Sequence, residues 1–340
     1  MQLDAMEDLS KLRLESAGAL LVSARLLIFF IFFPLLFCGC KQQRQPDETC
    51  SPVFQQPALK QEGSEPQQQV SFLFFSDTQA EPGTGDYSSF GELVALALAR
   101  GVDPDLVIFG GDTVNDGGDA DEWQNFWEAA TRLSSLTTAA VAGNHDNYPL
   151  LPEQFDYPAN APANQGEGYF YSFSRSPVHV IMLDSNIMGA ANEKDIEWLR
   201  ADLESVAALQ AAWRIVVMHH PMWPVAENPK DAARAETMRE SFLPLLEEGG
   251  ADLILCGHQH TYARSLPMSG DSAALDGRKG IAQIMAASGG KQSYAAGDWE
   301  YVSVSADAPN YLYVTASDDE LTVTAYDKNG KPFDTCTITR

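Results

Sequence analysis

Residues 214–221 read Arg-Ile-Val-Val-Met-His-His-Pro, an apolar strand-like run that ends directly in two histidines. The same order, an apolar run followed by residue types that bind metals, occurs at 138–146 and at 251–260, where the runs end in Gly-Asn-His-Asp and Gly-His-Gln-His. Five of the six histidines of the chain stand in these three clusters. Because the strands of an α/β sheet present the loops that follow them at one edge, the clusters are expected to meet there.

Two aspartates extend this pattern toward the N-terminus. Asp77 follows the apolar run at 70–75, and Asp112 follows the run at 105–110. Carboxylates and imidazoles gathered at one edge of a sheet make a set of hard and borderline metal ligands. The pattern therefore predicts a two-metal site of the kind that acts on phosphate esters.

The remaining sequence alternates between strand-like and helix-like segments. Further strands are predicted at 168–174, 178–184, 281–286, 311–316, 320–326 and 333–339, and helices at 88–100, 120–134, 193–208 and 232–247. Alternating strands and helices indicate an α/β fold. The strand-rich C-terminal end is predicted to form a second sheet that packs against the first.

Charge narrows the classes of partner. The chain has 340 residues and a formal net charge of −25, which disfavours binding to nucleic acid and to anionic lipid surfaces. The same charge repels phosphate esters at long range, so any attraction has to come from bound cations that act locally.

The N-terminal segment resembles a bacterial lipoprotein signal. An apolar stretch at 26–37 follows Arg25, and Gly39 precedes Cys40, the cysteine that would carry the lipid. We predict a signal peptide at 1–40, a Gln- and Pro-rich flexible tether at 41–69 and a catalytic domain at 70–340. The protein is then exported to the cell envelope, as an outer membrane lipoprotein or in the periplasm, or to the exterior; plain secretion and a membrane-spanning anchor are the alternatives. Cys50 and Cys336 either pair in an oxidising compartment or stay as thiols.

The clusters together resemble a known family. Asp77-x-Gln79, Gly111-Asp112, Gly143-Asn144-His145-Asp146, His219 after an apolar strand and Gly257-His258-Gln259-His260 resemble the signature of calcineurin-like metallophosphoesterases. The stretches 216–223, 257–265 and 311–338 are similar to the purple acid phosphatase branch. The resemblance spans about residues 70–340 and implies a four-layer α/β sandwich of two mixed β-sheets flanked by helices.

The resemblance also implies the role of each cluster. The metal ligands would be Asp77, Gln79 and His260 for one ion, Asp112 as the bridge between both ions, and Asn144, His219 and His258 for the other. Two divalent ions, Mn, Fe or Zn, would bind the ester and activate a hydroxide that attacks phosphorus. His145 would donate a proton or hydrogen bond to the leaving oxygen, and Asp146 would orient that imidazole.

Two positions depart from the family pattern. Gln79 stands where many members have a metal-binding histidine, and its amide oxygen favours Mn, Fe or Mg over Zn or reaches the metal only through water. Asn115 stands where purple members have a metal-binding tyrosine, so no purple ferric colour is expected, and Asn115 is a candidate substrate contact. His220 is predicted either to contact substrate or to pack in its loop, and Arg264 either to bind phosphate or to form a structural ion pair.

The function predicted from these residues is hydrolysis of phosphate mono- or diesters at the cell envelope. The first alternative is a non-catalytic surface lipoprotein that uses the same fold as a binding scaffold, and the second is a metal enzyme that cleaves another bond, such as an amide. No nucleic-acid partner is expected, and the sequence leaves open the ester, the metal and the oligomeric state.

Overall fold

The computed structural model describes residues 69–101, 103–146, 150–155, 157–158, 170–188, 193–274 and 279–340. The predicted signal peptide with Cys40, all but the last residue of the predicted tether, and Cys50 lie outside the described residues. The predictions made for them therefore stay predictions. Within the part of the chain that is described, no helix has both the length and the apolar character needed to cross a membrane.

Two large mixed sheets form the centre of the described structure. The first has six strands in the order β15 (Pro332–Thr339), β14 (Glu320–Asp327), β13 (Asn310–Ser317), β1 (Gln69–Phe75), β2 (Leu106–Phe109) and β3 (Thr137–Ala140). The second has seven strands in the order β12 (Val302–Asp307), β8 (Thr261–Ser265), β11 (Ala282–Met285), β7 (Leu253–Cys256), β6 (Trp213–Met218), β5 (Val178–Leu183) and β4 (Phe170–Arg175). A short ribbon joins β9 (Met268–Ser269) to β10 (Ser272–Ala273).

The composition of β1 shows why both faces of the first sheet are covered. Phe72 and Phe74 belong to the core between the two sheets, whereas Leu73 and Phe75 pack against helices on the other side. Successive side chains of a strand point to opposite faces, so a strand buried on both faces is apolar without interruption. This is why the run at 70–75 contains almost no polar residue.

Helices cover the outer face of each sheet. They are α1 (Ser88–Ala99), α2 (Ala120–Ala129), α3 (Leu151–Gln154), α4 (Ser185–Met188), α5 (Glu193–Leu203), α6 (Val206–Gln210), α7 (Pro229–Ser241) and α8 (Leu243–Glu248). Phe90 of α1 and Phe126 of α2 share a core with the first sheet. Leu199 of α5 and Met238 of α7 share a core with the second. The predicted arrangement of two mixed sheets flanked by helices is confirmed.

Two details of the prediction are wrong. The C-terminal strands do not form a sheet of their own, because β13 pairs antiparallel with β1 in the first sheet while β8, β11 and β12 join the second. The helices predicted at 193–208 and 232–247 are each divided in two. The first division occurs at Ser205, whose side chain accepts a hydrogen bond from the Ala208 backbone N–H and so begins a new helix. At the second, Pro244 stands in the first turn of α8, where no backbone N–H is needed.

Parallel pairing aligns the loops that carry the predicted ligands. β1, β2 and β3 run parallel in the first sheet, and β5, β6, β7 and β11 run parallel in the second. Asp77 and Asp112 follow β1 and β2, and Gly143-Asn144-His145-Asp146 follows β3. His219 and His258 follow β6 and β7. These loops therefore begin where parallel strands end, as the sequence predicts.

Candidate metal centre

Side chains from both sheets converge on one buried cluster. Asp77, Asp112 and His219 each offer a ligand atom, and these atoms lie within 4.8 Å of one another. A second group of the same spacing contains His219, His220 and His258. His219 belongs to both groups and therefore stands at the centre of the cluster.

The backbone at this cluster is held in an unfavourable conformation. Asp77, Asp112, His258 and His260 have φ angles of 49°, 50°, 75° and 45°, and they are the only residues other than glycine with positive φ in the described part of the chain. Such residues lie in a sparsely populated region, and outliers of this kind concentrate at functional sites. All four are predicted metal ligands.

His219 has the orientation that a metal-binding histidine requires. Its Nδ1 donates a hydrogen bond to the carbonyl oxygen of Gly110 at 2.9 Å, which leaves Nε2 as the nitrogen with the free lone pair. Nε2 is buried, lies 3.4 Å from Oδ1 of Asp112, and has no hydrogen-bond partner among the described residues. A buried polar atom without a partner needs an explanation. A divalent cation shared with the neighbouring carboxylates fits this arrangement of donor atoms.

His258 is positioned by two separate contacts. Its backbone N–H donates to both carboxylate oxygens of Asp77, at 3.0 and 2.8 Å, and its Nε2 lies 3.0 Å from Oδ1 of Asp231 in α7. The second contact leaves Nδ1 as the nitrogen free to bind a cation, in the carboxylate–histidine arrangement common at metal sites. Nε2 of His260 lies 3.5 Å from Oδ1 of Asp77, and the ring of His260 stacks on Tyr294.

Asp146 has a different role from the predicted one. Its two carboxylate oxygens accept hydrogen bonds from the backbone N–H groups of Thr113 and Gly143, at 3.0 and 2.9 Å. The imidazole of His145 is oriented instead by the carbonyl oxygen of Asn115, which lies 2.7 Å from Nδ1. The prediction that Asp146 orients His145 is therefore wrong. Asp146 holds together the loops that follow β2 and β3, and burial together with the charge of Asp112 raises its pKa to about 7.

Gln79 is buried, and both ends of its amide have protein partners. Oε1 accepts a hydrogen bond from Nζ of Lys291 at 3.1 Å, and Nε2 donates to the carbonyl oxygen of Val114 at 3.3 Å. The ammonium group thus occupies the acceptor that direct binding of a metal would use. This arrangement speaks against Gln79 as a direct ligand, and the alternative contact through water stays a prediction.

The other candidate residues lie around the cluster. Asn144 is exposed, in contrast to the other predicted ligands, and its role stays a prediction. The amide nitrogen of Asn115 donates to the carbonyl oxygen of Ala80 at 2.9 Å, so this side chain braces a loop and the structure gives no support to its predicted contact with substrate. His220 is buried and its Nδ1 lies 2.8 Å from Oγ of Ser185, which places it inside the cluster and not on an open substrate surface.

Arg264 forms a structural ion pair, which is one of its two predicted roles, and not the alternative contact with phosphate. Its Nε and a terminal nitrogen lie 2.7 and 3.1 Å from the two carboxylate oxygens of Asp334. The hydroxyl of Tyr262 donates to the same carboxylate at 2.6 Å. Tyr262 and Arg264 belong to β8 and Asp334 to β15, so this network connects the second sheet to the first.

Replacing Asp334 by asparagine is expected to lower the free energy of unfolding by about 2–4 kcal/mol at pH 7, because Arg264 loses its partner. Burial alone would raise the pKa of Asp334, but the hydrogen bonds from Arg264 and Tyr262 hold it below its ordinary value. A carboxyl group whose pKa is lower in the folded than in the unfolded protein stabilises the fold at pH values above its unfolded pKa of about 4. This stabilisation is lost as the pH falls through the pKa of the folded state. Urea unfolding at pH 7 and pH 3 should therefore show a difference between wild type and Asp334→Asn that shrinks in acid. The control is Asp318→Asn, which removes one negative charge from an exposed side chain. An equal effect of both variants on the free energy of unfolding would contradict the prediction.

Protonation and metal binding compete at this cluster. Burial raises the pKa of Asp77 to about 7, with Asp112 adding to the shift. Burial would lower the pKa of His219, but the Asp112 and Asp77 carboxylates raise it to about 9. A metal needs the ionised carboxylate and the neutral imidazole, so binding must release protons.

The affinity for Mn²⁺ is therefore expected to rise with pH, by about tenfold per pH unit for each proton released, below the pKa of the group that loses it. Calorimetry at pH 6, 7 and 8, in buffers of different ionisation enthalpy, measures both the affinity and the number of protons released. An affinity that stays constant from pH 6 to 8, with no proton release, would contradict this coupling.

Sequence reasoning missed two residues at the cluster. Lys291 follows the apolar strand β11 through Gly289-Gly290, which is the same order of apolar run, glycine and polar residue that identified the other loops. This local pattern could have identified Lys291 as a candidate site residue. Asp231 lies within a helix far along the chain from the histidine that it contacts, and no local pattern marks it.

Comparison with known proteins gives the family. A model of the calcineurin-like phosphoesterase family matches residues 70–262. Purple acid phosphatase 15 of Arabidopsis thaliana is 29% identical over 153 residues, which cover 43% of this chain and 28% of that protein. The chain thus spans well under half of the length of the curated relatives it matches.

Two solved structures share the fold. Purple acid phosphatase PPD1 from yellow lupin has a TM-score of 0.69 at 17% identity and covers 80% of this chain and 54% of its own. GAP50, the anchor in the inner membrane complex of Plasmodium, has a TM-score of 0.58 at 17% identity and covers 80% of this chain and 89% of its own. The family match spans more than half of the residues, with the converging ligand residues inside it. This chain belongs to the calcineurin-like phosphoesterase family.

Proposed function

We propose that this protein hydrolyses phosphate mono- or diesters at a site of two divalent cations. The observation that carries the proposal is the convergence of Asp77, Asp112 and His219, with ligand atoms within 4.8 Å of one another. The Nε2 of His219 is buried and has no hydrogen-bond partner among the described residues. The likeness to purple acid phosphatases supports the choice of phosphate esters.

The candidate ligands would form two sets, one for each cation. Asp77 and His260 would hold one ion, Asp112 would bridge both, and His219 and His258, together with Asn144, would hold the other. Bound divalent ions supply an activated water at neutral pH and neutralise charge on the phosphoryl group.

The protein's own groups prepare the site before substrate binds. Oδ1 of Asp112 accepts a hydrogen bond from the backbone N–H of His145 at 2.9 Å, so the loop that carries the carboxylate is tied to the loop that carries the imidazole. Nδ1 of His145 donates to the carbonyl oxygen of Asn115, which directs Nε2 toward Lys291 at the cluster. We propose that His145, once protonated at Nε2, gives this proton to the leaving oxygen.

Hydrolysis by purified protein tests the proposal. The protein is stripped with a chelator, reloaded with Mn²⁺, Fe²⁺ or Zn²⁺, and assayed on p-nitrophenyl phosphate and bis(p-nitrophenyl) phosphate, with the bound metal measured by elemental analysis. Close to two metal ions per chain and activity restored by at least one metal are expected. Folded, metal-loaded protein that hydrolyses neither ester would contradict the proposal and favour the binding scaffold or a metal enzyme that cleaves another bond.

We also propose that the protein acts at the cell envelope through a lipid on Cys40. The support is the sequence alone, an apolar stretch followed by Gly39-Cys40. Mass spectrometry of the mature protein should find cleavage before Cys40 and the added mass of the lipid, whereas an unmodified Cys40 would contradict this location.

A further inference from the structure

Lys291 is built into the site by the segment that follows β11. The backbone N–H groups of Ser288, Gly289 and Gly290 donate in turn to the carbonyl oxygens of Ser76, Asp77 and Gln79, at 2.7, 2.9 and 3.1 Å. A Cβ atom on Gly289 would lie 2.4 Å from the carbonyl oxygen of Gln79 and 2.5 Å from that of Asp77, so only glycine permits this approach. The backbone that carries Lys291 is therefore tied to the loop that carries Asp77.

Among the described residues, the ammonium group of Lys291 contacts only weak acceptors. Nζ lies 3.1 Å from Oε1 of Gln79 and 3.3 Å from Nε2 of His145. Both acceptors are neutral groups, and both distances are longer than the 2.7–2.9 Å typical of a hydrogen bond between an ammonium and an anion. No carboxylate of a described residue lies within ion-pair distance of Nζ. The positive charge is thus available to an anionic ligand.

The charge of the whole protein makes this local cation important. At a formal net charge of −25, the protein repels a phosphate ester, and it repels a doubly charged ester more strongly than a singly charged one. Lys291 adds a positive charge beside His145, the group placed to act on the leaving oxygen. A phosphoryl oxygen is a stronger acceptor for an ammonium than an amide or an imidazole.

We propose that Lys291 binds a non-bridging phosphoryl oxygen of the substrate and makes the site prefer phosphomonoesters, which carry two negative charges, over phosphodiesters, which carry one. This inference rests on the proposed function, since it names the ester that the same site selects. Lys291 acts here as a point charge, so a second cationic side chain in its place should preserve most of the preference.

Three variants separate this role from a structural one. Lys291→Met removes the charge and keeps the length, Lys291→Arg keeps the charge, and Lys328→Met makes the same change of net charge at an exposed turn. Each is measured for bound metal, thermal unfolding, affinity for orthophosphate by calorimetry, and kcat and KM on p-nitrophenyl phosphate and bis(p-nitrophenyl) phosphate.

In Lys291→Met, KM for the monoester and the dissociation constant of orthophosphate should each rise about ten- to a hundredfold, while kcat/KM for the diester changes less than about threefold. Metal content and unfolding temperature should match those of Lys328→Met, and Lys291→Arg should stay near wild type. Equal losses on both esters, or a loss of bound metal, would overturn the proposal and assign Lys291 a structural role. If the wild-type protein hydrolyses neither ester, the proposed function fails. The role of Lys291 is tested independently by orthophosphate binding: equal dissociation constants for Lys291→Met and Lys328→Met would overturn it.

Discussion

Replacing Asp112 by asparagine is expected to lower kcat/KM for a phosphate ester by at least about a thousandfold and to reduce bound metal from two ions to one or none. The substitution keeps the shape of the side chain and an oxygen able to accept the hydrogen bond from the backbone N–H of His145. It removes the negative charge that Asp112 would share between the two proposed cations. The loss should therefore come from the metals and not from the fold.

Backbone conformation strengthens this interpretation. Asp112 has a φ angle of 50°, a region that asparagine tolerates at least as well as aspartate, so no new strain arises. The matched control is Asp116→Asn, which removes one negative charge from an exposed side chain of the same loop. This variant should leave activity and metal content unchanged. Elemental analysis and steady-state kinetics on both variants decide the matter. An Asp112→Asn protein that keeps two metals and more than about a tenth of its activity would refute the assignment of Asp112 as the bridge.

Replacing Gly143 by alanine is the second change with a large expected effect. An added Cβ would lie 2.1 Å from the backbone nitrogen of Asp112 and 2.2 Å from its Oδ1, so the loop that carries the carboxylate must move. Crowding of this kind destabilises by about 1–3 kcal/mol, and a shift of about 1 Å in a catalytic group reduces rate by about a hundredfold. We expect a loss of kcat/KM of at least that size.

Gly290→Ala provides the comparison. Among the described residues, its added Cβ would meet only Cβ of Ser89 at 3.7 Å, an ordinary contact, although Gly290 lies directly beside Lys291. Kinetics and urea unfolding should show a severe effect for Gly143→Ala and a small one for Gly290→Ala. Equal activity of the two variants would mean that the close approach of Gly143 to Asp112 does not position the carboxylate.

Local pattern was sufficient to predict the strands that place the ligands. β1, β2 and β6 are apolar on both faces, so their runs stand out in the sequence, and the polar residues after them mark the edge at which parallel strands end. The family signature adds which of these residues should share a cation. For these reasons the layers of the fold were predicted from the sequence.

Local sequence pattern could not predict which distant strands pair with each other. Nothing in residues 310–317 indicates that β13 pairs with β1 rather than with a sheet of its own, because register depends on the whole core. The ion pair of Arg264 with Asp334 and the contact of Asp231 with His258 depend on the same tertiary packing. Apart from Lys291, which its local pattern marks, the residues that were missed or assigned wrongly are ones that act by contacting another element.

The pairing of β13 with β1 limits how far this protein can be truncated. All the residues proposed to hold cations precede Thr261, yet a fragment that stops there would lack β13, and the backbone N–H and C=O groups of β1 that face it would lose their partners. An apolar strand with an open edge invites pairing with other chains. β7 would lose β11 as its neighbour in the second sheet. The ligand-bearing segment is thus not an autonomous unit, and a minimal version of this enzyme has to retain β11 and β13.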